Sequence, residues 1–383
     1  VADRTKIEWC DATFNPWVGC TKVSAGCTNC YAERDMDIRR GFVKWGKGQP
    51  RRRTSPANWK LPLKWDRDFE HANAISKRHE HPLKYPRRPR VFCASLADVF
   101  DEGVSDAWRD DLFALIQRTT NLDWLLLTKR PERAKVYIEG GCTACFAQGS
   151  IPVDGGGAAC GACLEVKNGH GGIMREPIGH LPHVWLGVSV EDQDTANKRI
   201  PILLQTPAAV RWVSYEPALG SVDFTRFLKP TLVSRDGERL QHPDPRVPDI
   251  GGTWEFGLDW IVVGGESGPK ARPFDLAWAR STIEQCRAAG VSAFCKQLGR
   301  WPLIEAATGS GPEVLRRQSA IDAEWPAGTH FGNPTGQPAL NGRVALLHDR
   351  KGADPAEWPA DLRVREWPAH PALASTMNED LHR

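Results

Sequence analysis

The sequence predicts an α/β protein built on a partial or full (β/α) TIM-type barrel, with a zinc-ribbon-like insertion and a basic insertion. Three observations lead there. Short, nearly continuous apolar runs recur along the chain, as strands do when a parallel sheet is covered on both faces. Helical stretches alternate with these runs. Polar residues end run after run, at the face where a barrel gathers its active site.

The first strand is expected around ATFNPWV, just ahead of Cys20. The next are VFCASL (91–96), WLLLT (124–128), VWLGVSV (184–190), VRWVSYE (210–216), WIVVGG (260–265) and SAFCKQL (292–298). Helices are expected at 105–119, 191–205 and 275–289; in the last, Leu276, Ala279, Ile283 and Cys286 share a face. An open doubly wound sheet is the alternative arrangement. No GxGxxG or Walker A sequence supports a nucleotide-binding version of it.

The chain divides accordingly. Residues 1–139 form the first part of the barrel, with a three-cysteine loop and a basic insertion at 39–90. Residues 140–172 form a CxxC/CxxC insertion, 173–300 the second part of the barrel, and 301–383 a C-terminal extension. The Pro-rich, charged segment at 229–258 reads as loop.

With 383 residues, 41% of them apolar, the chain can bury a sizeable core, which excludes global disorder. No apolar run reaches the ~18 residues of a membrane span. VADRTKIEWCDA carries no apolar signal-peptide core, so a cytoplasmic location with reduced thiols and no membrane partner is expected. Tryptophan is abundant, at sixteen, and pattern alone gives no reason for it. The net charge of +3 hides an asymmetry: residues 39–90 hold sixteen Lys or Arg against four Asp or Glu. Phe42, Trp45, Trp59, Trp65, Phe69 and Tyr85 are interleaved with those cations. Cations and rings together suit a phosphate backbone with unstacked bases, so nucleic acid, DNA or RNA, is the expected partner of this segment.

Eleven cysteines fall into two clusters and four singletons. Cys93 and Cys295 sit in apolar runs and Cys286 on a helix, as small core residues do. Cys10 is ambiguous. Cys20, Cys27 and Cys30 form a set of three in GCTKVSAGCTNCYAE. Three thiols suit an incomplete shell: a cubane held this way keeps one iron open. Gly19 and Gly26 each precede a cysteine, letting the backbone fold tightly there. A zinc site completed by Cys10 or a distant histidine is the rival. Cys142, Cys145, Cys160 and Cys163 form two CxxC knuckles, a closed set of four that fits structural zinc, with a second iron–sulfur cluster as the rival.

The candidate site residues are those ending the strands. They are Ser95 and Asp98, then Lys129, then Ser189 and Glu191, then Ser214 and Glu216, then Glu266. Arg130, Lys296 and Gln297 occupy similar places.

A three-cysteine loop after the first strand of a partial barrel resembles the radical S-adenosylmethionine (radical SAM) superfamily. The spacing here, six residues then two, is a variant of that superfamily's CxxxCxxC. The segments WCDATFNPWVGCTKVSAGCTNCYAE, LLLTKRPER, VWLGVSVEDQ, VSYEPALG and VGGESGPKARP, with DPAEWPADLRVREWP in the tail, also resemble a phage- and prophage-associated family. The first resemblance implies a 4Fe–4S cluster on Cys20, Cys27 and Cys30. It also implies S-adenosylmethionine cleaved to a 5′-deoxyadenosyl radical, and an external electron donor. It further implies that Ser95, Asp98, Ser189, Glu191 and Ser214 bind the cofactor and that Lys129, Glu216 and Glu266 serve catalysis. The expected activity is modification or repair of nucleic acid or a nucleotide. Two other readings stand beside it. One is a zinc-bearing nucleic-acid-binding protein without catalysis. The other is a divalent-metal barrel hydrolase using Asp98, Glu191, Glu216 and Glu266, although no HxH or HExxH is present.

Overall fold

The structure is a computed structural model. It describes residues 5–79, 81–140, 178, 181–228, 253–304, 322–332 and 343–369, with the short strands 150–153, 156–159, 231–233 and 239–240. Cys142, Cys145, Cys160 and Cys163 lie outside the described residues, and with them the zinc-ribbon expectation.

Seven strands form one parallel sheet: β1 Ala12–Phe14, β2 Arg90–Cys93, β3 Asp123–Thr128, β4 Val184–Ser189, β5 Val210–Tyr215, β6 Trp260–Gly264 and β7 Ser292–Gln297. Their order in the sheet is their order in the chain. A doubly wound sheet reverses direction at a switch point. This one never does, so the sheet is a curled half-barrel, and among the described strands β1 and β7 remain edges.

Helices cover the convex face: α1 Leu61–Arg78, α2 Asp106–Arg118, α3 Pro131–Ile138, α4 Gln193–Leu204 and α5 Leu276–Ala289. The start signals are local. Asp192 and Thr195 form a capping box at α4, and the Asp275 carboxylate accepts from the Ala277 amide at α5. Gly290 ends α5 with φ +70°, a left-handed stop that favours glycine. The expected face of α5 is the buried one: Leu276, Ala279, Ile283 and Cys286 all pack inward. Cys93 and Cys295 point to the same outer core.

The opposite, concave face explains the tryptophans. Trp185, Trp212 and Trp260 point inward near the starts of β4, β5 and β6, and Trp9 inserts among them from the N-terminal segment. Ring centroids lie 5.2 Å apart for Trp9–Trp212, 5.5 Å for Trp212–Trp260 and 6.1 Å for Trp185–Trp260. A half-barrel has no opposite wall to fill its hollow, so large rings fill it. Gly187 makes room, because a Cβ there would stand 2.4 Å from the Trp212 ring.

Three regions differ from expectation. Within 229–258, Thr231–Val233 pairs antiparallel with Arg239–Leu240 and with Thr253–Glu255, where a loop was expected; the β-branched and apolar Thr231, Leu232 and Val233 suit the central place in these pairs. The basic insertion contains α1, whose Leu61 and Trp65 pack on the outer core. The C-terminal segment returns to the sheet: the Cys295 amide donates to the Val364 carbonyl and the Glu366 amide to the Ala293 carbonyl. Backbone groups on the outer side of β7 are thereby used, and Trp358 and Leu362 join the core. No helix among the described residues is long and apolar enough to cross a membrane.

Candidate functional site

A cavity of about 550 Å³ opens at the C-terminal ends of the strands, above the indoles. Cys20, Cys27 and Cys30 all line it. So do Ser95, Asp98 and Lys129 from the β2 and β3 ends, and Ser189, Ser214, Glu216 and Glu266 from β4, β5 and β6. Glu191 is fully buried just behind the wall.

The strand-end carboxylates hold the cysteine loop. Glu191 Oε1 accepts from Ser24 Oγ at 2.9 Å, while Arg199 donates to Oε2 at 2.9 Å. Gly26 permits this approach, since a Cβ there would meet Glu191 Oε1 at 2.5 Å. On the other side Glu266 Oε2 accepts from Asn29 Nδ2 at 3.1 Å, and Arg272 bridges Glu266 to the Ala25 carbonyl. Below, Arg130 donates to the Thr21 carbonyl at 2.7 Å and to Asp101 at 2.8 Å. Asp101 accepts in turn from the Thr21 amide and from Arg51. Asp98 accepts from Thr128 Oγ1, the Lys129 and Phe100 amides and Arg130. Its oxygens are thus engaged by the protein itself.

Other groups are arranged around the open space. Ser214 Oγ donates to Glu216 Oε2 at 3.2 Å, and Lys296 Nζ stands 3.1 Å from Glu216 Oε1. Lys129 Nζ is 3.6 Å from Glu191 Oε1. Ser189 is buried and lines the floor. Ser95 contributes its backbone, its carbonyl accepting from Tyr31 Oη at 2.5 Å, while Asn15 and Ser95 Oγ pair at 3.0 Å. The four strand-end carboxylates Asp98, Glu191, Glu216 and Glu266 are each matched with a cation of their own.

Burial pushes the Cys20 thiol up to about 12, reinforced by the Asp98 charge and opposed by Arg130, whose Nη1 lies 3.8 Å from the sulfur. Burial also raises Cys30. Desolvation would raise Asp101, but Arg130 and Arg51 outweigh it and hold the carboxyl below its usual range. Glu266 is lowered against its burial by Arg272 and Asn29.

Among the described residues no group of three or more His, Cys, Asp or Glu is drawn together around a single metal ion. Cys10 does not complete the set; it packs in the apolar layer beside Trp9. Tetrahedral zinc at ~2.3 Å from each sulfur would demand sulfurs roughly 3.8 Å apart. A cubane takes its three thiolates on three different irons, so those sulfurs stand further apart than sulfurs around one zinc. Three thiols facing one cavity are the donor set that such a group takes, and its positive charge would have to offset the burial that disfavours the Cys20 and Cys30 thiolates.

Residues 4–330 match the family described as Protein of unknown function (DUF5131). The chain belongs to that family. No curated protein and no solved structure matches it. In this DUF5131 chain, sequence reasoning missed Ser24, Asn29, Arg51 and Arg272, which fix the loop. Ser24 and Asn29 sit inside the cysteine motif, which is the one signal that marks them. Arg51 carries no local mark, because Asp101 is 50 residues away, and Arg272, although six residues from Glu266, reaches the loop at Ala25, 247 residues away.

Proposed function

We propose that the chain is a radical SAM-type enzyme acting on nucleic acid or a nucleotide. The observation that carries this reading is the convergence of Cys20, Cys27 and Cys30 on one cavity at the C-terminal ends of parallel strands. A 4Fe–4S cluster held by these thiols supplies, when bound, the electron that cleaves S-adenosylmethionine reductively. The chain's own residues do the rest. The clamp from Glu191, Glu266 and Arg130 fixes the loop. Arg130 offsets thiolate charge at Cys20. Ser189, Ser214 and the Glu216–Lys296 pair offer hydroxyl, carboxylate and ammonium groups to a polar ligand. Lys129 adds a second ammonium. The indole layer closes the floor against water.

Protein purified without oxygen and supplied with iron should be brown and carry about four irons at this site. Cys27→Ala should remove both colour and iron. A colourless, iron-free preparation of the unsubstituted chain would overturn the reading. We further propose one zinc on Cys142, Cys145, Cys160 and Cys163; Cys160→Ser should then lower the zinc content by one per chain.

A further inference from the structure

The charge surplus of residues 39–90 is not spread evenly once folded. Helix α1 carries Lys64, Arg67, Lys77 and Arg78 against Asp66, Asp68 and Glu70, which is close to balance. It lies on the convex side, where Trp59 and Trp65 pack on the outer core and Asp66 accepts from the Asn121 amide. Near β2, Arg87 pairs with Asp11, Arg88 faces Asp123, and Arg90 is buried. Arg51 is buried as well, held by Asp101 at 2.7 Å. These cations serve the fold.

The segment 38–53 is different. Arg39, Arg40, Lys44, Lys47, Arg52 and Arg53 are all exposed there, and no carboxylate occurs in the segment. Some reach acids elsewhere, such as Asp35, Asp37 and Asp111, through pairs whose cations stay accessible and which contribute little. Exposed apolar groups lie among them: Ile38 is 73% and Phe42 40% accessible, and the Arg52 guanidinium stacks 3.9 Å from the Phe42 ring centre. The segment reaches the rim of the cavity through Trp45. The Gly46 amide donates to the Cys20 carbonyl at 3.0 Å, and Trp45 lines the opening with Arg34 and the half-exposed Tyr31.

We propose that a single strand of nucleic acid runs along the 38–53 segment and presents one nucleotide to the cavity. The warrant is position: the exposed cations lie on the same short segment as Trp45, which lines the cavity, and the rings among them offer faces to unstacked bases. A duplex keeps its bases stacked and inside, whereas an unpaired strand delivers one at little cost. The cavity's part in this rests on the proposed function above; the binding surface does not.

The test uses the full chain and labelled oligonucleotides of about 12 nucleotides. Single-stranded DNA, single-stranded RNA, duplex DNA and anionic phospholipid vesicles form separate arms. Affinity for at least one single strand should exceed that for duplex and fall steeply with salt. The variant Arg40→Glu/Lys47→Glu/Arg52→Glu should lose at least tenfold in affinity, and its salt slope should shrink by about two. Lys47→Glu alone, the milder change, should lose in the same direction. Lys64→Glu/Lys77→Glu on α1 should bind as the unsubstituted chain does. The proposal is overturned if no strand binds at low salt, if duplex binds as well as single strand, if only vesicles bind, or if the 38–53 variants bind unchanged. Iron content of the same preparations reports on the cluster separately, so a failed cofactor and a failed binding surface are told apart.

Discussion

Two levels of the concave face use the same strands for opposite purposes. The lower level is four indoles and Phe92, with Trp9 and Phe92 centred 4.7 Å apart and every ring buried. The upper level is serines, Glu216, Lys296 and three thiols around open space. Strand periodicity connects them: Trp212 and Ser214 are neighbours on the same face of β5, as are Gly187 and Ser189 on β4. The lower level is fixed by packing, which tolerates no vacancy. The upper level is fixed by charge-assisted hydrogen bonds that reach across the loop. An apolar floor therefore carries stability, while the polar groups above it can be arranged for a ligand.

The largest test of this contrast is Trp212→Ala. It should cost about 3–5 kcal/mol in chemical denaturation. If the variant is as stable as the unsubstituted chain, the floor is not what holds the half-barrel.

Asp101→Asn, in the clamp, should come next at about 3 kcal/mol, because it leaves Arg51 buried without a carboxylate and Arg130 with Asp98 alone. The same group sets a pH dependence. Its folded pKa lies below the unfolded value, so its contribution is present above about pH 4 and lost as pH falls through the folded value. Thermal melting followed from pH 6 to pH 3 should drop, and the Asn variant should show a shallower drop.

A smaller effect, about 1 kcal/mol, is expected for Glu266→Gln, which weakens the clamp from this buried carboxylate to the partly exposed Arg272 and to Asn29. Its sharper readout is local. Maleimide should label Cys27 and Cys30 faster at neutral pH, with Cys286 unchanged in the core.

The smallest is Ser214→Ala, with a stability change within about 0.5 kcal/mol. Under the proposed function its effect falls on S-adenosylmethionine binding, measured by calorimetry. A stability loss comparable with that of Trp212→Ala would erase the distinction between the levels.

Much of this architecture is legible in the sequence. The five inner strands stand out because a parallel strand buried on both faces is nearly apolar throughout, whereas edge strand β1 is only Ala12–Phe14 of the expected ATFNPWV stretch and edge strand β7 ends in Lys296 and Gln297. The cysteine loop is equally visible, since its spacing is local. Helix α1 is harder: Leu61, Trp65 and Phe69 recur every four residues, yet the surrounding Lys and Arg make the segment read as solvated surface.

What the sequence by itself determined is whatever a short window dictates: strand and helix identity, caps such as Asp192 and Asp275, and the grouping of Cys20, Cys27 and Cys30. The tertiary structure alone decided which polar groups face space and which face each other. Glu191 and Glu266 read like Glu216 in the sequence, but they meet Ser24 and Asn29, 167 and 237 residues away. Arg51 reads like Arg52, but one is sealed against Asp101 and the other lies open on the surface. A charge's role is set by what lies within a few ångströms of it, and for these residues the chain supplies that neighbour only after it has folded.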